Sequence, residues 1–377
     1  MRILELTNYT SGSCGVGNRV MRESQLLAQR GHTVMIFSSN FIKGKSELCK
    51  ESEIQGRVKI NRFPAKHLGG ESFINWSFEK EAIAFMPDII IAHAYRHLHT
   101  IKALKIASKL KIPCILVTHA PFERRKTRTL MQNIIVGAYD YFIGKRLVNK
   151  FSKILMIAPW ELDHLLKLGL PKKKIGYSPN GVKEEFFSSK KNKSLSKSIL
   201  YMGRISPIKN IEVLINAMNL VGSKANLLIY GPAEQKYLDK LKNIVFKNKL
   251  EKRVTIINKE YDLKIQLATL DKSEVFVLPS KSEGMPQSLL EAMARGKLVI
   301  GSNISPIASM IDNGKNGFTF EENNSKDLAN KINKIINLQD SKKKTLSINA
   351  QKFASRFRWN LIVEKLNEII LKEAKNE

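Results

Sequence analysis

Residues 278–300 have the sequence LPSKSEGMPQSLLEAMARGKLVI. The apolar run that ends at Leu278 predicts a strand, and a polar loop follows it. A helix is predicted from about Pro286 to Arg295, because proline is tolerated in the first turn of a helix, where its missing N–H costs nothing. A second strand, Leu298–Gly301, comes directly after this helix. A strand, a helix and a strand of these lengths predict a right-handed crossover between parallel strands, and therefore an α/β sheet.

The same alternation recurs on both sides of this segment. In the second half of the chain, apolar runs predict strands at Ser198–Met202, Asn226–Tyr230, Val254–Ile257 and Val275–Leu278. In the first half they predict strands at Arg2–Leu6, Thr33–Phe37, Ile89–Ala92, Ile115–Thr118 and Ile154–Ala158. Helical spacing of apolar residues predicts helices at Asn18–Arg30, Ile211–Met218 and from Trp359 to about Ala374. Because ligands of open α/β sheets bind outside the carboxyl ends of the strands, we expect the functional residues in loops that follow strands.

A polar segment divides the two halves. Ser188–Lys197 is rich in serine and lysine and has no apolar periodicity, which predicts an exposed linker. We therefore predict a Rossmann-like domain over residues 1–187, a second one over 188–356, and a terminal segment 357–377 whose helix packs back on the first domain. A chain of 377 residues is long enough for two such cores.

The composition is that of a globular protein, with 43% hydrophobic and 26% charged residues. Three scattered cysteines do not form a disulfide framework or a Cys-x-x-Cys zinc pattern, and they fit a reducing cytosol. No apolar run reaches the eighteen or so residues of a membrane span, and the N-terminus lacks the long apolar core of a signal peptide. We expect a cytoplasmic protein that binds no metal ion.

The net charge of +29 is divided almost equally between the two halves of the chain. A solvated basic surface without a special partner explains it, and so does attraction to anionic lipid or to a lipid-phosphate acceptor. A nucleic-acid partner is the weaker interpretation, because no recognised nucleic-acid module accompanies the charge and the charge is not concentrated in one region. We therefore expect no specific nucleic-acid binding.

Two carboxylates stand eight residues apart in the deciding segment. Glu283 lies in the loop before the helix and Glu291 lies about two turns inside it. Carboxylates accept hydrogen bonds from hydroxyl groups, which suits a sugar and a ribose. The start of the same helix favours an anion such as a diphosphate. An ordinary amphipathic helix with a capping glutamate explains the spacing equally well.

Two cations follow an earlier strand. Arg204 and Lys209 lie in the loop after Ser198–Met202, within the sequence GRISPIKN. A guanidinium fork and an ammonium group close together form a clamp for phosphate oxygens. Two surface cations in a basic chain are the alternative.

With both elements in place, the chain resembles glycosyltransferase family 4, whose members have the GT-B architecture. The Gly-Arg…Lys-Asn pattern and the Glu-x7-Glu element stand here in the family's order and at its distance. The resemblance covers nearly the whole chain, including the turn Asn180-Gly181-Val182 and the segment Phe357-Arg358-Trp359. It implies an α/β GT-B fold, with two Rossmann-like domains whose parallel sheets face a central cleft.

The resemblance also implies roles for residues of the second domain. Arg204 and Lys209 would hold the donor diphosphate and stabilise the leaving group. Glu283 would contact the transferred sugar, and Glu291 would bind the ribose hydroxyls. The remaining donor contacts implied are backbone ones, at Gly203, Gly284, Met285, Pro286 and Gln287.

In the first domain, the resemblance implies roles for two residues. His119, at the end of the strand Ile115–Thr118, matches the family's histidine and would contact the sugar near the reacting carbon. Gly15 would let the backbone approach the phosphate or the acceptor closely. Two positions of this domain depart from the family: Cys14-Gly15 replaces a common glycine pair, and Ala120 stands where aspartate often follows the histidine. A third departure lies in the second domain, where the Pro-Glu that commonly follows the Glu-x7-Glu helix falls near Ala308-Ser309. These departures leave the donor sugar and the acceptor open.

A basic stretch with aromatic residues follows His119. Residues 121–150 contain seven lysines and arginines, at positions 124, 125, 126, 128, 145, 146 and 150, among Phe122, Tyr139, Tyr141 and Phe142. This composition suggests contact with a membrane surface or a lipid-linked phosphate acceptor. A solvated helix face with its aromatic residues in the core is the alternative.

The implied activity is transfer of a hexose from a UDP- or GDP-linked donor to a hydroxyl of a glycan or lipid-linked acceptor, with retained configuration and no cofactor. Two other functions stay open: a sugar-nucleotide epimerase on the same fold, and a non-catalytic protein that binds sugar nucleotides or a membrane surface. Acceptor-dependent turnover of the donor distinguishes the three.

Overall fold

The computed structural model describes residues 1–12, 14–122, 129–188 and 196–375. The chain divides into two units. Unit 1 comprises Met1–Gly181 and Trp359–Glu377, and unit 2 comprises Val182–Arg358. Most of the predicted linker, residues 189–195, lies outside the described residues.

The division falls a few residues away from the predicted boundaries at 187–188 and 356–357. The N–H of Val182 donates to the carbonyl oxygen of Phe357 at 2.6 Å, and Val182 also pairs with Arg358. These contacts hold residues 182–187 in unit 2, because the two segments that enter and leave the unit are hydrogen-bonded to each other.

Unit 1 is built on a mainly parallel sheet. Its strands are β1 (Arg2–Leu6), β2 (Thr33–Ser39), β3 (Ser52–Gln55), β4 (Val58–Phe63), β5 (Ala65–His67), β6 (Ile74–Trp76), β7 (Ile89–His93), β8 (Cys114–Val117), β9 (Lys153–Met156) and β10 (Ile175–Tyr177). Its helices are α1 (Gly15–Gln29), α2 (Glu79–Phe85), α3 (Leu98–Leu110), α4 (Leu130–Tyr139), α5 (Lys145–Val148) and α6 (Leu162–Lys167), together with the C-terminal helix Trp359–Lys375. A π-helical segment, Asp140–Gly144, joins α4 to α5.

In the described part of unit 1, the main sheet has the order β10-β9-β8-β7-β1-β2-β4-β3, and β5 pairs with β6 separately. All pairs in the main sheet are parallel except β3 with β4. Apart from Arg2, Glu5 and His93, the central strands β1, β7 and β8 consist of buried apolar residues, as parallel strands covered on both faces require. The C-terminal helix packs against α1, and the ring of His32 lies 2.6 Å from Asn367 Oδ1.

Unit 2 has a second parallel sheet. Its strands are β11 (Ser198–Met202), β12 (Asn226–Tyr230), β13 (Val254–Ile257), β14 (Val275–Leu278), β15 (Leu298–Ser302) and β16 (Phe318–Phe320). Its helices are α7 (Ile211–Ala217), α8 (Gln235–Lys247), α9 (Leu263–Lys272), α10 (Gln287–Ala294), α11 (Ser305–Ala308), α12 (Ser325–Ile336) and α13 (Asp340–Ser355); the C-terminal helix of unit 1 is therefore α14. The strand order among these residues is β13-β12-β11-β14-β15-β16, and every pair is parallel.

The prediction of an α/β fold with two parallel sheets is confirmed. Helix α1 begins three residues earlier than predicted, because the thiol of Cys14 accepts a hydrogen bond from the Gly17 N–H at 3.3 Å and caps the helix start. Gly15 and Gly17, which precede the predicted helix start at Asn18, therefore lie in its first turn. The strands between residues 52 and 76 were not predicted.

Candidate functional site

The sheet of unit 2 has a point where its strand order reverses. From β11 the chain proceeds to β12 on one side, and it later returns to place β14 on the other side. In open α/β sheets, ligands bind at such a switch point, outside the carboxyl ends of the strands. The loops that follow β11 and β14, residues 203–210 and 279–286, contain four of the predicted donor residues and both predicted cations.

Lys209 and Glu283 meet at this point. Lys209 Nζ lies 2.6 Å from Glu283 Oε1, and the Ser280 hydroxyl donates to the same carboxylate oxygen at 2.7 Å. The two loops are also joined through the backbone, since the N–H of Lys281 donates to the carbonyl oxygen of Ile208 at 2.9 Å. Only 19% of the Lys209 side chain and 10% of the Glu283 side chain are exposed, so solvent screens this pair weakly.

Arg204 is arranged differently. It is exposed, and its guanidinium makes no hydrogen bond or ion pair with the described residues. Its backbone is held, because the Tyr201 hydroxyl donates to the Arg204 carbonyl oxygen at 2.7 Å. Gly231 packs against the carbonyl of Gly203, so closely that a Cβ atom on Gly231 would overlap that oxygen. The backbone of the Gly203–Arg204 turn is therefore held in place, while the Arg204 guanidinium has no partner among the described residues.

The loop before α10 departs from the prediction in one respect. Pro286 is the N-cap residue of α10 rather than a residue of its first turn, and the helix begins at Gln287. Met285 and Pro286 are buried, whereas Gly284 and Gln287 are partly exposed at the sheet edge. Pro286 has no N–H, so it cannot donate one of the backbone hydrogen bonds to the donor that the resemblance implies.

Glu291 lies on α10, one turn after Gln287, and is partly exposed. Its carboxylate accepts a hydrogen bond from Gln266 Nε2 at 2.6 Å. Removal from water raises the pKa of Glu291 to about 7, although hydrogen bonds from Gln266 and Gln287 and the charge of Lys183 favour its ionised form. Burial and the charge of Glu291 both raise the pKa of Tyr261. Glu291 can therefore gain or lose its proton near neutral pH.

In unit 1, His119 follows β8 with an unusual backbone. The φ angles of His119 and Ala120 are 58° and 51°, in the left-handed region that residues with a side chain seldom adopt. His119 Nε2 lies 2.9 Å from His93 Nδ1, and His93 Nε2 lies 2.6 Å from Glu5 Oε2. Glu5 and His93 are fully buried, and His119 is partly exposed. The predicted histidine is thus the outer end of a buried chain of polar groups.

A second carboxylate joins this chain. Glu23 Oε1 lies 3.4 Å from His93 Nε2, while Glu23 Oε2 pairs with Arg19 Nε at 3.1 Å. Among the described residues, Glu5, Glu23 and His93 form a group whose oxygen and nitrogen atoms lie within 4.8 Å of one another. Arg19 already supplies positive charge there, and it also donates to the carbonyl oxygen of Ser178 at 2.7 Å. We interpret the group as a hydrogen-bonded network.

The glycines of the first loop have separate environments. A Cβ atom on Gly15 would meet no atom within 4 Å, so the space beside its backbone is open. A Cβ atom on Gly17 would lie 2.5 Å from the carbonyl oxygen of Tyr9. The close approach within the protein therefore belongs to Gly17, which the sequence prediction passed over.

Where the structure describes the basic aromatic stretch, Phe122 is buried in the core and Tyr139 is half-buried against it, whereas most of the remaining side chains are exposed. Residues 123–128, with the cations at 124, 125, 126 and 128, lie outside the described residues. Helix α4 buries none of its residues. The large apolar side chains exposed here are Leu130, Met131, Ile134, Ile135, Tyr141, Phe142 and Ile143, which we call the α4 surface.

Asp140 anchors the segment, because it accepts hydrogen bonds from the Tyr95 hydroxyl and from Arg96 Nε at 2.9 and 2.8 Å. The alternative that places these aromatic residues in the core is wrong for Tyr141 and Phe142, which are 74% and 66% exposed.

Sequence reasoning missed Glu5, His93, Ser280 and Gln266. His93 ends a predicted buried strand, as His119 does, so the same signal could have found it. Glu5 was hidden within the apolar run of β1. Ser280 and Gln266 have no distinctive spacing, and only the fold brings them to the carboxylates.

Two family models match the chain. One described as Glycosyltransferase Family 4 matches residues 14–186, and one described as Glycosyl transferases group 1 matches residues 182–353. An uncharacterized glycosyltransferase of Methanocaldococcus jannaschii is 28% identical over 268 residues, which cover 70% of each chain. The UDP-Gal:alpha-D-GlcNAc-diphosphoundecaprenol alpha-1,3-galactosyltransferase of Escherichia coli is 29% identical over 262 residues, which cover 63% of each chain.

Solved structures share the fold over the full length. Sucrose-phosphate synthase from Thermosynechococcus elongatus superposes with a TM-score of 0.80 at 16% identity and covers 100% of both chains. Anabaena HepE, in complex with UDP and glucose, superposes with a TM-score of 0.73 at 18% identity and covers 99% of this chain and 100% of its own. In the described parts of the chain, no helix has the length and apolar character that crossing a membrane requires.

Proposed function

Because the chain belongs to the glycosyltransferases of family 4 and has their GT-B fold, we propose that it transfers a hexose from a UDP- or GDP-linked donor to a hydroxyl of a glycan or lipid-linked acceptor, with retained configuration. The observation that carries this proposal is the pairing of Lys209 with Glu283 beside the unpaired Arg204, at the switch point of the second sheet.

The arrangement suits departure of a nucleoside diphosphate. In the reaction, the acceptor oxygen forms a bond to the anomeric carbon, the bond from that carbon to the diphosphate oxygen breaks, and the acceptor proton passes to the leaving diphosphate. Negative charge grows on the leaving oxygen, and Arg204 and Lys209 stabilise it. Preorganised cations of this kind are worth most where water is excluded. The residues themselves supply this charge, so the proposal needs no cofactor.

The carboxylates bind the two hydroxyl-bearing parts of the donor. Glu283 is held by Lys209 and Ser280, so its second oxygen is oriented to accept from a sugar hydroxyl. Glu291, held by Gln266, accepts from the ribose. Support for a UDP-linked donor comes from the E. coli relative, named for UDP-Gal, and from HepE with UDP and glucose.

For the acceptor, we favour a lipid-linked one that is reached at an anionic membrane surface. The α4 surface presents Leu, Ile, Met, Tyr and Phe side chains to solvent, and the cations Lys145 and Arg146 follow it directly. Apolar and aromatic side chains beside cations match the interface of an anionic bilayer. The E. coli relative is named for a diphosphoundecaprenol acceptor, which agrees with this choice.

The first test is thermal stabilisation and nucleoside diphosphate release across a panel of UDP- and GDP-hexoses, with Arg204→Ala alongside. One donor should stabilise the wild type and be hydrolysed slowly, and an acceptor should increase its turnover. Arg204→Ala should lower the turnover by about 100- to 1000-fold, the usual loss when one stabilising group is removed. Lys236→Ala, which removes an exposed lysine from α8, is the matched control and should change neither reading.

The other outcomes identify the alternatives. Inversion of a sugar centre without an acceptor would establish an epimerase. Binding without turnover for every acceptor would establish a binding protein. Failure of all nucleotide sugars and diphosphates to bind would overturn the donor assignment.

A further inference from the structure

We propose that Glu5 and His93 are positioning residues that determine which ring nitrogen of His119 carries the proton, and so whether His119 offers the sugar a hydrogen-bond donor or an acceptor. The proposal rests on the proposed function in one respect, the contact between His119 and the sugar. The hydrogen-bonded chain is a property of unit 1 and can be tested without any substrate.

The chain has two links and one open end. Glu5 Oε2 and His93 Nε2 lie 2.6 Å apart, and His93 Nδ1 and His119 Nε2 lie 2.9 Å apart. Each link is a hydrogen bond and therefore contains one proton. The remaining nitrogen, His119 Nδ1, makes no hydrogen bond to the described residues, and the His119 side chain is partly exposed. A ligand at the carboxyl end of β8 would meet this nitrogen.

Two proton arrangements satisfy both links while both imidazoles are neutral. If the Glu5 carboxyl is protonated, it donates to His93 Nε2; His93 Nδ1 then donates to His119 Nε2, and the proton of His119 lies on Nδ1. If Glu5 is ionised, His93 Nε2 donates to it; His119 Nε2 then donates to His93, and His119 Nδ1 holds a lone pair. The protonation state of Glu5 thus determines whether His119 Nδ1, at the far end of these two hydrogen bonds, is a donor or an acceptor.

The charges around the chain favour the protonated carboxyl. Two buried carboxyl groups, Glu5 and Glu23, share one buried cation, Arg19, and Arg19 contacts Glu23 directly. A second buried carboxylate without a cation is costly, so Glu5 is the group that stays neutral. The Oε1 atom of Glu5 is buried without a hydrogen-bond partner among the described residues, which a neutral carboxyl tolerates better than a carboxylate does.

The titratable and charged groups that act on this chain come from α1, β7, α3 and the loops after β7 and β8. They are Arg19, Glu23, His93, His97, His99 and His119. Burial raises the pKa of Glu5 to about 8, and the charge of Arg19 offsets part of this increase. Burial lowers the pKa of His93 to about 4 and the pKa of His119 well below its usual value, so both rings are neutral at physiological pH.

The backbone supports a functional constraint on His119. Two consecutive left-handed residues with side chains cost energy and persist only where surrounding contacts impose them. The buried Glu161 provides such contacts, because its carboxylate accepts hydrogen bonds from the Thr118 side chain and from the Ala120 backbone N–H, on either side of His119. These contacts hold the His119 ring so that its Nε2 forms the hydrogen bond with His93 Nδ1.

The direct test is ¹⁵N NMR of the full-length protein labelled at histidine, titrated from pH 6.5 to 9.5. Signals are assigned by single His→Gln variants, and the exposed His67 serves as a reference outside the chain. His119 should carry its proton on Nδ1 at pH 6.5 and on Nε2 at pH 9.5, with a midpoint near pH 8. In Glu5→Gln, which keeps the shape and cannot ionise, the tautomer should not change with pH. A wild-type tautomer that is constant over the whole range would overturn the proposal.

The pH profile of transfer gives an independent reading. With His119 Nδ1–H as donor to the sugar, kcat at saturating donor should be level up to about pH 7.5 and fall up to about tenfold per pH unit above pH 8, as the ionised fraction of Glu5 grows. Glu5→Gln should keep the activity at pH 7 within about threefold and lose this alkaline decline. An unchanged decline in Glu5→Gln would contradict the proposal.

Two further outcomes keep the tests separate. If Glu5→Gln does not fold, His93→Phe replaces it, because a ring without nitrogen atoms breaks both links and should make the tautomer of His119 independent of Glu5. If the tautomer switches as expected but no nucleotide sugar binds, the role of Glu5 and His93 in positioning the His119 proton is supported and the proposed function fails.

Discussion

Lys209 Nζ lies 2.6 Å from Glu283 Oε1, so the cation assigned to the diphosphate and the carboxylate assigned to the sugar form an ion pair before any substrate is present. The pair is largely removed from solvent, and Ser280 holds the same oxygen. Each member thus orients the other. Of the two cations assigned to the diphosphate, Lys209 is therefore already paired, whereas Arg204 has no ion-pair partner among the described residues.

Removing Lys209 is therefore expected to affect both partners. Lys209→Ala should lower kcat/KM by about 100- to 1000-fold, because it removes a transition-state cation and leaves Glu283 unpaired in a poorly screened position. Glu283→Gln alone should also impair transfer. The double variant should lose less than the product of the two single effects, since the unpaired charge is gone. Lys236→Ala is the control, and strictly multiplicative effects would mean that the two residues act independently.

Glu291 predicts a pH dependence of donor binding. Its pKa is raised to about 7, and in the proposed role its ionised carboxylate accepts hydrogen bonds from the ribose hydroxyls more strongly than the neutral acid does. KM for the donor should therefore fall as the pH rises from 6 to 8, while kcat changes little. Measured over the same range, Glu291→Gln should have a higher and flat KM, and the exposed Glu251→Gln should follow the wild type. A wild-type KM that does not vary with pH would argue against this role.

Gly231 predicts a large effect on stability from a small substitution. A Cβ atom there would overlap the carbonyl oxygen of Gly203, and the φ angle of 149° is itself unfavourable for alanine. Gly231→Ala should displace the Gly203–Arg204 turn, lower the free energy of unfolding by about 2 kcal/mol or more, and impair donor binding. Gly222→Ala, whose Cβ meets no atom within 4 Å, is the matched control. The measurement is urea denaturation of the wild type, Gly231→Ala and Gly222→Ala. Equal midpoints for all three would show that the Gly203–Arg204 turn can accommodate the added Cβ atom.

Glu5 predicts how stability depends on pH. Because the pKa of Glu5 is raised to about 8 in the folded protein, the folded state binds an extra proton between the unfolded pKa and pH 8. Stability from this group is therefore lost as pH rises, by up to about 1.4 kcal/mol per pH unit. His93, whose folded pKa is about 4, acts in the opposite sense only below about pH 6.5.

The measurement is urea denaturation of the wild type and Glu5→Gln at pH 6.5 and 8. Between these values the wild type should lose more stability than the variant. All other groups titrate in both proteins, so the difference isolates Glu5. A difference of zero would show that Glu5 is already ionised at pH 6.5.

The α4 surface predicts binding to anionic vesicles. Ile135→Ser combined with Phe142→Ser should weaken sedimentation with phosphatidylglycerol vesicles by about tenfold, because two apolar side chains no longer leave water. Lys145→Ala with Arg146→Ala should weaken it mainly at low salt. Phe246→Ser removes an equally exposed ring from unit 2 and should have no effect. Equal binding by all these proteins would exclude the α4 surface as the contact.

Much of the fold could be predicted from the sequence. Buried parallel strands are continuous apolar runs, so the bounds of β11, β12, β13 and β14 agree with the structure to the residue. Strands β3, β5 and β6 were missed because they are short and partly exposed, and β4 was missed because its apolar residues alternate with polar ones instead of forming a continuous run. The start of α1 was misplaced, since a cysteine thiol is not among the usual capping groups.

The sequence by itself determined the fold class, the order of the loops that follow strands, and the residue types that suit a diphosphate and hydroxyl groups. These features depend on local periodicity and on short spacing, which the chain displays directly. Only the tertiary structure decided that Lys209 pairs with Glu283 and that Glu5, His93 and His119 form one chain. Lys209 and Glu283 are 74 residues apart in the sequence, Glu5 and His93 are 88 apart, and His93 and His119 are 26 apart. Each pair meets because neighbouring strands of a parallel sheet end at the same edge. Burial at that edge then determines which of these groups carry a charge.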